Sequence, residues 1–186
     1  TRDSRIVQLN GAGNDHTTGV IYSGEILRRF GEAFGASVEQ FPVPAFFDDP
    51  AAKAALWKER STKRILDIQS SMDVALFGLG TLNAEVPSQV YSAGYLHDAD
   101  IESLRHDQIV GDIATVFFRG DGSFDDIQLN LRSSGPSLEV IRKVPRRICV
   151  IAGVSRIPSL RGALAGKLIT DLIIDDGTAR ALLQGV

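Results

Sequence analysis

Apolar positions along this chain switch between two spacings, and the switches mark a succession of strands and helices. Ile6-Val7-Gln8-Leu9 is a short apolar run that stops in a loop of small and hydroxylated residues, Asn10 to Gly19. Beyond it Val20, Ile21, Gly24, Leu27, Phe30, Gly31 and Phe34 recur at helical spacing, and Gly35 reads as the C-terminal cap. Val38 to Pro44 alternates as a strand, with Pro42 and Pro44 confining it to an early exit or an edge. Asp49 followed by Pro50 is a helix start, the acid capping and the proline in the first turn, for one or two helices running through Leu56, Trp57, Ile65, Leu66 and Ile68.

The next run, Val74-Ala75-Leu76-Phe77-Gly78-Leu79-Gly80, is continuously apolar, which predicts a strand buried on both faces and therefore a parallel sheet. Thr81 to Tyr95 is polar and irregular, with Pro87 and Ser88 a candidate start for a short helix, and Asp98 to Arg105 reads as another helix headed by an acid. Strand-like runs follow at Val110 to Ile113, Thr115 to Phe118 and Ile127 to Leu131. The Gly120-Asp121-Gly122 turn between the last two predicts an antiparallel hairpin. Pro136 opens a helix through Leu138, Ile141 and Val144 ahead of a buried strand, Ile148 to Ile151. A helix with Leu160, Ala163 and Leu164 on its core face ends at Gly166; the last strand lies within Leu168 to Ile174 and the last helix within Thr178 to Leu183. This alternation predicts one α/β domain over residues 1–186: a doubly wound, mostly parallel sheet carrying an antiparallel hairpin insertion.

Composition narrows the function classes. With 44 % hydrophobic and 23 % charged residues the chain is globular, and a formal net charge of −3 provides no electrostatic footprint for nucleic acid. The single cysteine, Cys149, sits inside an apolar run, which excludes an internal disulfide framework and fits a reducing cytoplasm. No apolar run has membrane-spanning length, and a chain starting at Thr1 is expected to be part of a longer protein. The 10–19 loop lacks the full dinucleotide fingerprint and the Gly-Lys-Ser/Thr of a P-loop. His16, His97 and His106 lack paired metal spacing, and Ser155 is not followed by the glycine of a nucleophile elbow. The acid pairs Asp48-Asp49, Asp125-Asp126 and Asp175-Asp176 read as caps and turn residues. No metal or cofactor is implied.

In an open α/β sheet, ligands bind outside the carboxyl ends of the strands. That rule selects Asn10, Gly11, Ala12, Thr17 and Thr18 after the first strand, Pro44 after the second, Gly78 and Gly80 after the third, and Asp112 and Arg156 further on. Together these offer backbone donors, hydroxyls, one carboxylate and one cation. Such a set holds a phosphorylated sugar, Arg156 gripping phosphate and Asp112 accepting from sugar hydroxyls. Each has a plainer counterpart: a Gly/Asn-rich turn, a local cap, a solvated arginine.

Several pieces in order, Val7-Gln8-Leu9-Asn10-Gly11, Pro42-Val43-Pro44-Ala45, Phe77-Gly78-Leu79-Gly80, Val110-Gly111-Asp112-Ile113, Ile151-Ala152-Gly153 and Asp175-Asp176-Gly177-Thr178, cover nearly the whole chain. They resemble the effector-binding domain of sugar-responsive bacterial transcriptional regulators of the SorC type. The resemblance implies a fold similar to sugar-phosphate isomerases and deaminases, a sugar or sugar-phosphate effector, and a homodimer or homotetramer whose rearrangement controls DNA binding. It places Asp112 where the family has an acid that contacts sugar hydroxyls, and Arg156 near a position where many members carry lysine. An arginine there binds phosphate by charge and cannot form a Schiff base. The family's N-terminal helix-turn-helix and the strand with a Gly/Thr-rich phosphate loop that precede the Val7 strand are missing, so DNA is expected to be held only through a segment absent from this chain. An isomerase or deaminase on the same fold is the alternative; it would need a second titratable group beside Asp112.

Overall fold

The computed structural model describes residues 3–82, 84, 88–92 and 94–185. Helix α1 (Val20–Phe34) follows strand β1 (Arg5–Val7) and ends as its spacing demands, on Gly35 in the left-handed conformation. Strand β2 (Ser37–Glu39) stops short of Pro42. Asp49 accepts from Ala51 N at 2.8 Å to cap α2 (Pro50–Leu56), and a second helix, α3 (Arg60–Ser70), completes the pair. The remaining helices are α4 (Gln89–Ser92), α5 (Asp98–His106), α6 (Leu138–Lys143), α7 (Ile157–Ala165) and α8 (Asp176–Gln184). Pro87, the candidate start of a short helix, lies outside the described residues. Helix α5 is headed by His97, whose backbone N–H is met by the Asp100 carboxylate, and Asp175 caps α8 through Thr178 N.

The sheet is mostly parallel, as expected, and comes in pieces. β1 pairs with β2, while β3 (Val74–Phe77), β6 (Arg146–Ile151) and β7 (Asp171–Ile174) form a parallel three-stranded unit with β6 in the middle. Single bridges, Gly13 with Pro44 and Gly80 with Asp112, extend the pairing beyond the strand ends.

The antiparallel hairpin is present one segment earlier than the turn residues predict. It pairs β4 (Ile109–Ile113) with β5 (Val116–Arg119) across Ala114 and Thr115, both at positive φ (48° and 70°). Non-glycine residues avoid that conformation. Here the Thr115 N–H donates to the nearby Asp112 carboxylate at 3.2 Å, and its hydroxyl is tied to Ser133 Oγ at 2.9 Å, long-range support that no turn propensity reports. After Gly120-Asp121-Gly122 the chain enters a 3₁₀ turn, Gln128–Leu131.

Strand β3 also differs from expectation, being buried on one face only. Ala75 and Phe77 enter a core with Cys149 and Ile151, covered by Leu138 and Ile141 of α6 and Leu160 and Ala163 of α7. The alternate residues Val74, Leu76, Val150 and Ile173 remain 43–57 % exposed, because residue faces alternate along a strand and these helices occupy one side. Leu164, read as a core position of α7, likewise points outward. Burial pushes the Cys149 thiol up to about 12, so it acts as a small apolar core residue.

Candidate functional site

The carboxyl end of β4 is drawn against the exit of β3. Gly80 N donates to Asp112 O at 3.0 Å, and Asp112 N to Gly80 O at 3.3 Å. Ser159 of α7 adds a hydroxyl donor to Gly80 O at 3.0 Å. These contacts leave the Asp112 side chain 4 % exposed, with Oδ1 accepting from Tyr91 OH at 2.8 Å and Oδ2 from Thr115 N at 3.2 Å. A glycine is required at position 80, since a Cβ there would lie 1.8 Å from Asp112 Oδ1.

Burial raises the Asp112 pKa to about 6 against the pull of the Tyr91 and Thr115 hydrogen bonds and the positive charge of Arg156. Burial and the adjacent carboxylate also push the Tyr91 phenol well above its ordinary value. Arg156 closes the 3₁₀ turn Val154–Arg156 that follows β6, and its Nη1 donates to Leu79 O at 2.9 Å. Gly78, Gly80, Asp112 and Arg156 thus belong to neighbouring strand ends. The acid is held by neutral donors, with the guanidinium acting on it through space.

The Asn10 to Thr18 loop is organised differently. Gly11 is buried, and its N–H donates to Ser134 Oγ at 2.9 Å while the same hydroxyl donates to Ala45 O at 2.9 Å. The Asn10 amide donates to Gly11 O, and Ala12 O accepts from Tyr95 OH at 3.0 Å. Thr17 and Thr18 are exposed at the end of an Asn14 turn and line a cleft of about 950 Å³ with Pro44, Tyr95 and Arg132. That cleft does not include Asp112. Arg132 at its wall donates to Asp100 at 2.6 Å and to Phe47 O at 2.7 Å.

A buried polar chain joins the two regions: Gly11 to Ser134, Ser133 to Thr115, Thr115 to Asp112, Asp112 to Tyr91. Sequence reading missed Tyr91, Ser133, Ser134 and Arg132. The first lies in an irregular polar stretch, and the other three form Arg132-Ser133-Ser134-Gly135, where two hydroxyls before a glycine are the one available signal. Among the described residues no group of three or more His, Cys, Asp or Glu side chains is placed to hold a metal, and no helix is long and apolar enough to cross a membrane.

An α/β domain with an acid and hydroxyls gathered at its strand ends defines a small-ligand-binding protein of polar specificity. Comparison with known proteins makes the class particular: residues 1–184 match the family described as "Putative sugar-binding domain", and the chain belongs to that family. It is 35 % identical over 179 residues to the deoxyribonucleoside regulator of Bacillus subtilis, covering 96 % of this chain and 56 % of that one. A solved domain of "a possible sugar-binding transcriptional regulator" from Arthrobacter aurescens superposes with a TM-score of 0.89 at 56 % identity, covering 97 % of this chain and 68 % of that one. The full-length sorbitol operon regulator SorC of Klebsiella pneumoniae shares the fold, with a TM-score of 0.80 at 22 % identity over 98 % of this chain and 60 % of that one. The sugar-binding domain of a transcriptional regulator, expected from the resemblance, is therefore the class to which the family match and these relatives point. The enzyme alternative gains nothing from them.

Proposed function

We propose that this chain is the effector-sensing domain of a longer, cytoplasmic bacterial transcriptional regulator, taking a sugar or sugar phosphate and breaking no bond. The observation that carries the reading is the Asp112 carboxylate. It is buried at a strand end, held by one hydroxyl and one N–H, and so retains acceptor capacity for the hydroxyls of a ligand. Asn10, Gly11, Ala12, Thr17, Thr18, Pro44, Gly78 and Gly80 are assigned to the body of the sugar, with Arg156 drawn to its phosphate. DNA is contacted by a separate N-terminal segment of the longer protein. Ligand binding shifts the balance between arrangements of a homodimer or homotetramer.

The test is a thermal-shift titration with pentoses, hexoses and their phosphates, including 2-deoxyribose 5-phosphate. One of them raises Tm by several degrees with rising concentration and is recovered unchanged, and Asp112→Ala loses the shift. A panel without any shift, or conversion of the sugar to product, would falsify the proposal.

A further inference from the structure

Two hydroxyls, Tyr91 OH and Ser88 Oγ, are brought beside the Gly80–Asp112 bridge, and only the first has a partner there among the described residues. Tyr91 OH, on α4, occupies Asp112 Oδ1 at 2.8 Å, its ring edge-on to Phe117 with centroids 6.2 Å apart. Ser88 lies just ahead of α4. Its Oγ is shut away from solvent, meets no hydrogen-bond partner among the described residues, and stands 3.0 Å from the place a Cβ on Gly80 would take. Folded chains leave few buried hydroxyls unpaired, and such a group beside a carboxylate with spare acceptor capacity marks a place built for another polar partner. Asp112 cannot receive a second hydroxyl at Oδ1 in the same direction while the phenol is there.

We infer that Tyr91 is a built-in competitor of the effector. The phenol swings off Asp112 when a sugar hydroxyl takes its place on Oδ1, and Ser88 Oγ pairs with the adjacent hydroxyl of the same ligand. The ligand class is accordingly a vicinal diol on a sugar or sugar phosphate, and Tyr91 sets the concentration at which the domain responds. The inference rests on the sugar-sensing reading for its ligand, while the Tyr91 contact is testable without one.

Hydrogen exchange on the ligand-free chain comes first. Tyr91→Phe, which keeps the ring on Phe117, raises exchange of the 88–92 amides about tenfold, and combining it with Asp112→Asn adds nothing further. Unchanged exchange, or additive effects, overturns the contact. Titration with ribose 5-phosphate, fructose 6-phosphate and 2-deoxyribose 5-phosphate follows; the furanose of the last has no vicinal diol, and its binding as tightly as the other two refutes the diol assignment. Tyr91→Phe binds the responding sugar about tenfold more tightly than the native chain, and Ser88→Ala about tenfold more weakly. Equal or weaker binding by Tyr91→Phe refutes competition, and equal binding by Ser88→Ala refutes the diol contact. If none of the three binds either protein, the diol assignment fails together with the sugar reading, while the exchange result still decides whether Tyr91 latches Asp112.

Discussion

The Asp112 hairpin and the Asn14 to Thr18 loop both set polar side chains at strand ends, and they spend them in opposite ways. Asp112 is almost fully enclosed; it accepts from Thr115 N three residues on, and from Tyr91 OH, 21 residues away across the molecule. Asn14 instead accepts from His16 N and Thr17 N, its own near neighbours, at the edge of an open cleft. A local turn organises itself, and even the Thr17 hydroxyl is engaged by a near neighbour, Gly19 N, at 3.1 Å. A buried acid depends on distant partners for its position and carries a desolvation penalty that a ligand can relieve. The cleft offers open volume, about 950 Å³, whereas the enclosed carboxylate offers an acceptor stripped of water.

The largest expected effect that tests this contrast comes from Gly80→Ala. Its Cβ would meet the Asp112 carboxylate and Ser88 Oγ, so the variant should lose about 3 kcal/mol in urea unfolding and its sugar response with it. A variant of native stability would show that the enclosure is loose.

The pH dependence of stability is nearly as informative. Because the folded Asp112 has a pKa of about 6 against the ordinary 3.8 of an aspartate, the folded state binds this proton more tightly than the unfolded state. The group therefore destabilises by up to about 3 kcal/mol above pH 6, and the penalty fades as pH falls toward 4. Native chain and Asp112→Asn compared in urea across pH 4–7 should differ by that slope. Parallel profiles would mean that Asp112 titrates as an ordinary surface acid.

Ser134→Ala probes the link between the regions. It leaves the buried Gly11 N–H without its acceptor, for an expected loss of about 2 kcal/mol. The smallest effect belongs to the open loop: Thr18→Ala should shift stability by less than about 0.5 kcal/mol. If the sugar response disappears in that variant while Tm holds, the ligand's main anchor moves from Asp112 to the cleft.

Features held by near neighbours were legible from sequence. Helix α1 ends on Gly35, and Asp49 and Asp175 cap α2 and α8, because each cap is satisfied within a few residues. The strand-end rule also picked out Asp112 and Gly80, whose backbones the structure bridges directly. What stayed hidden depends on long-range contacts. The hairpin turns at Ala114-Thr115 because Ser133, 18 residues away, supports Thr115. Tyr91 reaches Asp112 from 21 residues away. The single-sided burial of β3 follows from which helices pack on it, information that a uniformly apolar run does not carry.

The turn at Ala114 and Thr115 bears on how this domain tolerates sequence change. Glycine at 114 would ease the positive φ and give up only the one methyl that Ala114 packs against the core. Glycine at 115 would ease the backbone equally and sever the hydroxyl tie to Ser133, uncoupling the Gly11 loop from the acid. A library selected for heat resistance alone should therefore admit Gly or Asn freely at 114. Selection that also demands a sugar response should hold position 115 to threonine, so residue 115 records a long-range tie kept at the expense of local backbone comfort.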